Sequence, residues 1–440
     1  MTQSAIARPA GRYRWGVCAL LFFVITINYI DRQIIGVLKP VIEDDMGWSE
    51  VDYGNIVTAF QASYGIGLLL VGRWLDRVGT RRGMAIAIAV WSLAAASHAF
   101  AKGVVTFILA RVVLGISESA AYPGAVKSIA EWFPRRERAL GVGILNAGAN
   151  VGVLLTPIIA IWIAGAYGWR AAFFVTGAFG LVLLWAWLRF FRQPHEHTAL
   201  SDEERQWIDQ DDEAETGEPL GWKDAIRQRQ AWFFICGKFF TDPVWYLFLF
   251  WLPDFLYRTQ GMELFPTGDS GIFATIGPAL IGVYLLADVG SIFGGWLSSH
   301  FIKRGWTVNR ARKTTLFLAA LCALPLVFIT SIDNAAVVIL LIGLGTAGHQ
   351  AFSSNIFTMI SDLYPRRAVA TIAGMGGLAG SIGGILIAQA TGWSLELTGS
   401  YLPIVIYAGF GYLIAFTAIQ LLIPRMDPAP VTSSESVPNA

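Results

Sequence analysis

Long apolar runs alternate with short polar intervals along almost the whole chain. Residues 139–169, 368–394 and 397–424 contain no Asp, Glu, Lys or Arg. Comparable runs, some interrupted by a charge, lie near residues 15–30, 53–72, 83–101, 103–130, 171–188, 231–257, 272–298, 314–330 and 334–360. A bilayer-spanning helix needs about 20 mostly apolar residues, so the pattern predicts twelve transmembrane helices. Composition agrees. Hydrophobic residues make up 55% of the 440 positions and charged residues 14%, against about 25% charged in soluble domains. A soluble fold has nowhere to bury so much apolar surface, and the expected class is an all-α polytopic membrane protein.

The polar intervals carry the orientation. With both termini on one side, 24 of the 32 Lys and Arg fall on that side. Only Lys39, Lys102, Arg170 and Arg258 lie opposite, and Arg32, Arg111, Lys127 and Lys238 fall within spans. Basic residues near span ends stay in the cytoplasm, so both termini are expected there. The net charge of +1 conceals this segregation. Cys18, Cys236 and Cys322 lie in predicted spans without metal or disulfide spacing and read as small hydrophobes. The first apolar run reads as a retained helix rather than a signal peptide.

Residues 193–230 differ from the rest. They hold His195, Glu196, His197, an acidic cluster from Asp202 to Glu218, and a Ser201-x-x-Glu204 capping-box pattern. A solvated connector is expected here, joining a six-helix bundle over 1–192 to a second over 231–425, with a disordered tail at 426–440. The halves echo one another. Phe133-Pro134-Arg135-Arg136 recurs as Tyr364-Pro365-Arg366-Arg367, and the same offset of 231 carries Gly143 to Gly374 and Gly152 to Gly383. Internal repetition of this kind accompanies transporters that rock two bundles about a midplane site.

Between the second and third runs stands Gly72-Arg73-Trp74-Leu75-Asp76-Arg77-Val78-Gly79-Thr80-Arg81-Arg82, a basic, glycine-punctuated segment of eleven residues expected to be a loop. It resembles the loop between helices two and three of the major facilitator superfamily. Gly72, Asp76, Arg77, Gly79 and Arg82 are the gating candidates, with Asp76 expected to lean on the N-terminus of the eleventh helix near Ala368, where the helix dipole favours an anion. A stop-transfer loop with no gating role accounts for the same residues. The second half holds a worn copy, Gly294-Gly295-Trp296-Leu297-Ser298 with Lys303-Arg304-Gly305 and Arg310-Ala311-Arg312-Lys313, in which Ser298 stands where the first copy has Asp76.

Ionisable groups inside a membrane are expensive and mark function by default. The first helix carries Asn28-Tyr29-Ile30-Asp31-Arg32-Gln33, and the fourth carries Arg111 and Glu118, seven residues apart and therefore on one face. Arg32 suits bidentate capture of a carboxylate, and Asp31 and Glu118 are the candidates to exchange protons. A static bridge between helices uses the same residues. Tyr29 and Tyr64 offer rings and hydroxyls, and Asn146 and Asn150, four apart, share a face and can bond sugar hydroxyls. In the second half Lys238 and Asp242 stand one turn apart, followed by Trp245, and the tenth run holds the polar stretch of His349, Gln350, Ser354 and Asn355. Whether Lys238, Asp242, Asp288 and His349 act in function or in structure stays open at this point.

At these residues the chain resembles the anion:cation symporter branch of the superfamily over essentially its full length. Thr241-Asp242-Pro243-Val244-Trp245 running into Leu249-Phe250-Trp251-Leu252-Pro253, and Gly348-His349-Gln350-Ala351-Phe352-Ser353-Ser354-Asn355 followed by Ser361-Asp362-Leu363-Tyr364-Pro365, resemble hexuronate transporters. The resemblance implies proton-coupled import of glucuronate or galacturonate. Arg32 and Arg111 would meet or orient the carboxylate, and Asp31 and Glu118 would carry protons. Tyr29, Tyr64, Asn146, Asn150, Lys238, Trp245, Gln350, Ser354 and Asn355 complete the substrate-binding candidates.

The alternatives are an aldonate such as galactonate or another small organic anion, and, from a different class, a membrane sensor on a carrier fold. HExxH, G-x-S-x-G and phosphate-loop patterns do not occur in suitable places, which argues against an enzyme. No cofactor or metal is expected, the proton being the coupling ion. The partners are a sugar-acid anion, protons and the lipid bilayer, without nucleic acid. A monomer in a bacterial inner membrane is expected.

Overall fold

A computed structural model of the chain describes residues 12–198, 200–209, 221–265 and 275–427. Twelve helical segments among them are long and apolar enough to cross a membrane, one for each predicted run. In chain order the helices are α1 (Tyr13–Met46), α2 (Glu50–Val78), α3 (Thr80–Ser97), α4 (Val104–Glu118), α5 (Ala121–Trp132), α6 (Arg135–Tyr167) and α7 (Trp169–Phe190). There follow α8 (Asp202–Asp209), α9 (Trp222–Arg227), α10 (Arg229–Gln260), α11 (Ile276–Lys303), α12 (Val308–Ala323), α13 (Ala335–Leu363), α14 (Arg366–Thr398) and α15 (Leu402–Leu422). The fourth span is α4 with α5, broken at Ser119–Ala120. The ninth is α12 continued by a 3-10 turn, Leu324–Ser331. Arg8, the acidic residues from Asp211 to Glu218 and the tail beyond Asp427 lie outside the described residues.

The chain divides into two compact units, and the division falls within helices as well as in the connector. It runs between Val41 and Ile42 in α1 and between Ala62 and Ser63 in α2, so 42–62 group with the second unit. The connector and the repeat in the sequence place all of α1 and α2 in the first bundle, 1–192.

Small residues set the close helix contacts, as expected where backbones must approach in lipid. In the first unit α3 meets α7 at Gly177 and Gly180, against Ser92 and Ala96. α1 meets α6 at Gly148 and Gly152, where an added Cβ would lie 2.6 and 2.5 Å from the Phe22 and Thr26 carbonyl oxygens. The second unit repeats the device. α10 meets α14 at Gly383, 2.6 Å from the Phe239 carbonyl by the same measure, and α11 meets α13 at Gly290 and Gly294. The repeated turns match too. Pro134 (φ −62°, ψ 152°) and Pro365 (φ −63°, ψ 152°) each open a helix of 33 residues, α6 and α14. Proline suits that place because its missing N–H has no intrahelical partner there.

Three expectations need correction. The segment 72–82 is not a loop. α2 runs to Val78 and α3 starts at Thr80, leaving Gly79 alone between them at φ +83°, a conformation that glycine adopts without a Cβ penalty. The first helix is longer than its apolar run at 15–30: α1 extends to Met46, and Lys39 within it is fully buried in the protein. The connector is not merely solvated: His197, Leu200, Glu204, Trp207 and Ile208 are buried. Ser201 caps α8 by accepting from the Glu204 amide at 3.2 Å. The Glu204 carboxylate turns instead to α1, accepting from the Tyr13 and Arg14 amides at 3.3 and 3.2 Å and from Arg14 Nη1 at 3.0 Å. Glu137 takes Arg14 Nε at 2.9 Å. The buried arginine is thus held between two carboxylates, one from the connector and one from α6.

At the far end of the second unit Arg258 gathers three carboxylates. It pairs with Asp254 at 3.0 Å, with Glu43 at 2.5 Å, and with Glu50. Their oxygens lie within 4.8 Å of one another, and the guanidinium supplies the cation that such crowding requires. The Tyr401 hydroxyl donates to Asp254 Oδ2. Burial, and next the charge of Asp254, hold the Tyr401 pKa well above its ordinary value, so the phenol stays a donor.

Candidate functional site

Each unit buries a further polar cluster. In the first, α1 supplies Asn28, Asp31 and Arg32, and α4 supplies Arg111 and Glu118, all 5% exposed or less. Arg32 Nε donates to Glu118 Oε2 at 3.2 Å and Nη2 to Asn28 Oδ1 at 3.2 Å. The guanidinium also lies 4.9 Å from the Tyr29 ring centre and 4.5 Å from that of Tyr64, within cation–π range. Arg111 Nη1 donates to the Arg32 carbonyl at 3.4 Å, tying α4 to α1 behind the first arginine.

Asp31 is 1% exposed and faces Glu118, Arg111 and the Thr176 hydroxyl. Neither of its oxygens has a hydrogen-bond partner among the described residues, and Thr176 donates instead to the Phe173 carbonyl at 3.3 Å. Glu118 Oε1 is likewise without a partner. The four membrane charges expected from sequence thus meet in one place, with carboxylate oxygens left open.

The local fold explains the meeting. α4 ends at Glu118, and Ser119 and Ala120 bridge to α5 through amides donating to the Gly115 and Ser117 carbonyls. Gly67 of α2 sits against Ser119 at this break. Interrupted helices are tolerated in membranes where they line polar sites.

Tyr122, four residues past Glu118, was not foreseen. Its hydroxyl donates to Asn146 Oδ1 at 3.1 Å and it lies beside Tyr29 and Tyr64. Asn150, one turn further along α6, is half-buried.

The second unit centres on Lys238 and Asp242, paired at 2.6 Å on α10. Glycines of α14 make room for them. A Cβ at Gly376 would lie 3.1 Å from Lys238 Cγ, and one at Gly380 would strike the Asp242 carboxylate. Trp245 stacks on His349 with ring centres 5.0 Å apart and planes within 10°. His349 Nδ1 bonds the Tyr412 hydroxyl at 2.7 Å, a helix-to-helix link between α13 and α15.

The remaining candidates divide. Gln350 is half-buried, and Ser354 donates to the Ala351 carbonyl at 3.1 Å. Asn355 donates to Gly294 at 3.0 Å and to Ala351 at 2.9 Å, lacing α13 to α11. Asp288 is half-buried on α11.

Around Gly79, Asp76 is ion-paired with Lys127 of α5 within the first unit. Thr80 donates to Glu131 at 2.6 Å. Gly72, Arg77 and Arg82 are exposed. In the second unit Arg312 bonds both Ser298 Oγ at 2.8 Å and Asp362 at 3.0 Å. The departure at Ser298 therefore leaves the segment anchored, with Asp362 supplying the carboxylate.

The family model described as Major Facilitator Superfamily matches residues 21–388. The chain belongs to the major facilitator superfamily. Its fold and family are those of a multi-pass membrane transporter, not of an enzyme. Among curated relatives of this facilitator, a hexuronate transporter of Escherichia coli is 29% identical over 434 residues, 97% of this chain and 98% of the relative. A galacturonate transporter of Dickeya chrysanthemi is 32% identical over 314 residues, 70% and 88% of the two chains. A D-galactonate transporter of Escherichia coli is 28% identical over 95% of this chain and 97% of its own. A solved bacterial homolog to the human lysosomal transporter Spinster matches with a TM-score of 0.68 at 18% identity, over 94% of this chain and 96% of its own, and shows the shared fold.

Proposed function

We propose that this facilitator is a proton-coupled symporter importing a hexuronate, glucuronate or galacturonate, across a bacterial inner membrane, with both termini cytoplasmic. The observation that carries the reading is Arg32, buried between two tyrosine rings and held by Glu118. A guanidinium recognises a carboxylate through its planar fork. Here that fork is already engaged by a protein carboxylate, so an entering anion competes with Glu118 for Arg32.

Charge balance then requires a proton. Asp31 and Glu118 against Arg32 and Arg111 sum to zero, and adding an anion alone would leave a net charge in a medium of low dielectric. A proton taken up by Glu118 or Asp31 restores neutrality and frees the fork for substrate. Tyr29, Tyr64, Tyr122, Asn146 and Asn150 offer hydroxyls, amides and ring faces suited to a sugar ring. Lys238, Trp245, Gln350 and Ser354 are candidates in the second unit, where the paired Lys238 and Asp242 add no net charge. Gly79, with Asp76 on Lys127 beside it, supplies a one-residue articulation for a gate between α2 and α3.

The relatives support a sugar acid, and the galactonate carrier among them keeps an aldonate as the second reading. A competition panel tests the choice in proteoliposomes loaded for uptake of labelled galacturonate. Unlabelled glucuronate and galacturonate should compete best. Stronger competition by galactonate assigns the aldonate reading, and indifference to every sugar acid overturns both.

A further inference from the structure

Along the first half of α2, Asn55, Thr58 and Gln61 recur every three residues and face α14 within the second unit. The first two are satisfied, because Gln389 Nε2 donates to Asn55 Oδ1 at 3.0 Å and to Thr58 Oγ1 at 2.8 Å. Gln61 is different. It is 0% exposed, and neither its amide oxygen nor its amide nitrogen has a partner among the described residues. Its Nε2 points at Gly384, 3.1 Å from where a Cβ would stand, and the Tyr246 ring reaches the same spot at 2.6 Å. Tyr246 follows Asp242 by one turn of α10, and Gly384 follows Gly380 by one turn of α14, so Gln61 caps the stripe that begins at Lys238 and Asp242.

A carboxamide offers two donors and two acceptor lone pairs. Buried polar groups are bonded almost without exception, and one left open calls for a specific explanation. Packing does not supply it, since leucine fills a similar volume without the open polar atoms. One turn along α2 stands Tyr64, whose ring faces the Arg32 guanidinium at 4.5 Å.

We propose that Gln61 is a specificity-determining residue whose carboxamide hydrogen-bonds a hydroxyl of a polyhydroxylated carboxylate, after the contact with Gly384 parts during transport. The proposal rests on the sugar-acid reading above and deepens it. A plain organic anion cannot satisfy the amide, whereas a sugar acid both donates to it and accepts from it. Sites built around such bonds reject analogues that lack the hydroxyl.

The test is a substrate-side cycle. Galacturonate and its 2-, 3- and 4-deoxy analogues compete for counterflow in proteoliposomes holding the full-length wild-type chain, Gln61→Leu or Gln61→Asn. Gln61→Leu should weaken galacturonate about tenfold, which is roughly the loss of one good hydrogen bond. For one deoxy analogue the same substitution should change affinity less than twofold, because the bond is already missing. Its thermal midpoint in detergent should equal or exceed that of wild type. Equal weakening of every analogue, no weakening of any, or a lowered midpoint overturns the proposal; Gln61→Asn carries the same comparison if the leucine variant fails to fold. Wild type that accepts no uronate defeats the hexuronate reading instead, and the same series built on its actual sugar acid then decides Gln61.

Discussion

Replacing Arg32 with lysine keeps a positive charge on α1 and removes only the planar fork. In the structure that fork bonds Glu118 and Asn28 at 3.2 Å each and lies between the Tyr29 and Tyr64 rings. A lysine ammonium is one centre on a flexible stem and cannot hold all four positions. At least one charge-assisted hydrogen bond is lost, worth about 1.5–3 kcal/mol, together with one cation–π contact of about 0.5–1 kcal/mol. The sum of about 2–4 kcal/mol corresponds to a fall of roughly 30- to 1,000-fold in kcat/KM. Counterflow of labelled galacturonate in proteoliposomes measures it, with the thermal midpoint checked in detergent to confirm folding. A lysine variant within about threefold of wild type would refute the reasoning, because charge without the fork would then suffice.

Glu118→Gln should keep counterflow within about threefold of wild type, since the amide oxygen still accepts from Arg32, yet lose accumulation driven by a pH gradient; equal loss of both moves Glu118 from coupling to binding. Gly380→Ala should reduce uptake more than tenfold and destabilise by about 1–3 kcal/mol through overpacking, because the new methyl strikes Asp242. Gly374→Ala, whose nearest neighbour is 3.8 Å away, is its control and should behave as wild type in uptake and melting. Arg258→Gln should lower stability by about 1–3 kcal/mol, a buried-pair value discounted because the side chain is 39% exposed. Recovery of the melting temperature in the double variant with Asp254→Asn would identify the stranded buried carboxylate as the cause, and failure to recover would dismiss it.

How much was legible beforehand depended on whether the signal was local. Span number follows from hydropathy, which each helix carries in its own residues. The repeat follows from Phe133-Pro134 and Tyr364-Pro365, which impose the same turn on both halves. Asp31, Arg32, Arg111 and Glu118 stand out because charge in an apolar run has no other explanation. What stayed hidden needed contacts between distant segments. Nothing near Arg258 announces Glu43 and Glu50, about two hundred residues earlier. Glu204 looks like half of a capping box until α1 is seen beside it. The break after Glu118 carries no proline or glycine at Ser119 or Ala120, so sequence reads α4 and α5 as one helix. Tyr122 was within reach, lying four residues beyond Glu118 in the same span. Gln61 was not, for its open amide is visible only against Gly384.

Symport requires that anion and proton cross together. The direct measurement records labelled galacturonate entry and internal pH at once in proteoliposomes held acidic outside. Uphill accumulation should accompany internal acidification and vanish with a protonophore, and Asp31→Asn should uncouple the two fluxes. Uptake that ignores the gradient and leaves internal pH unchanged would contradict it.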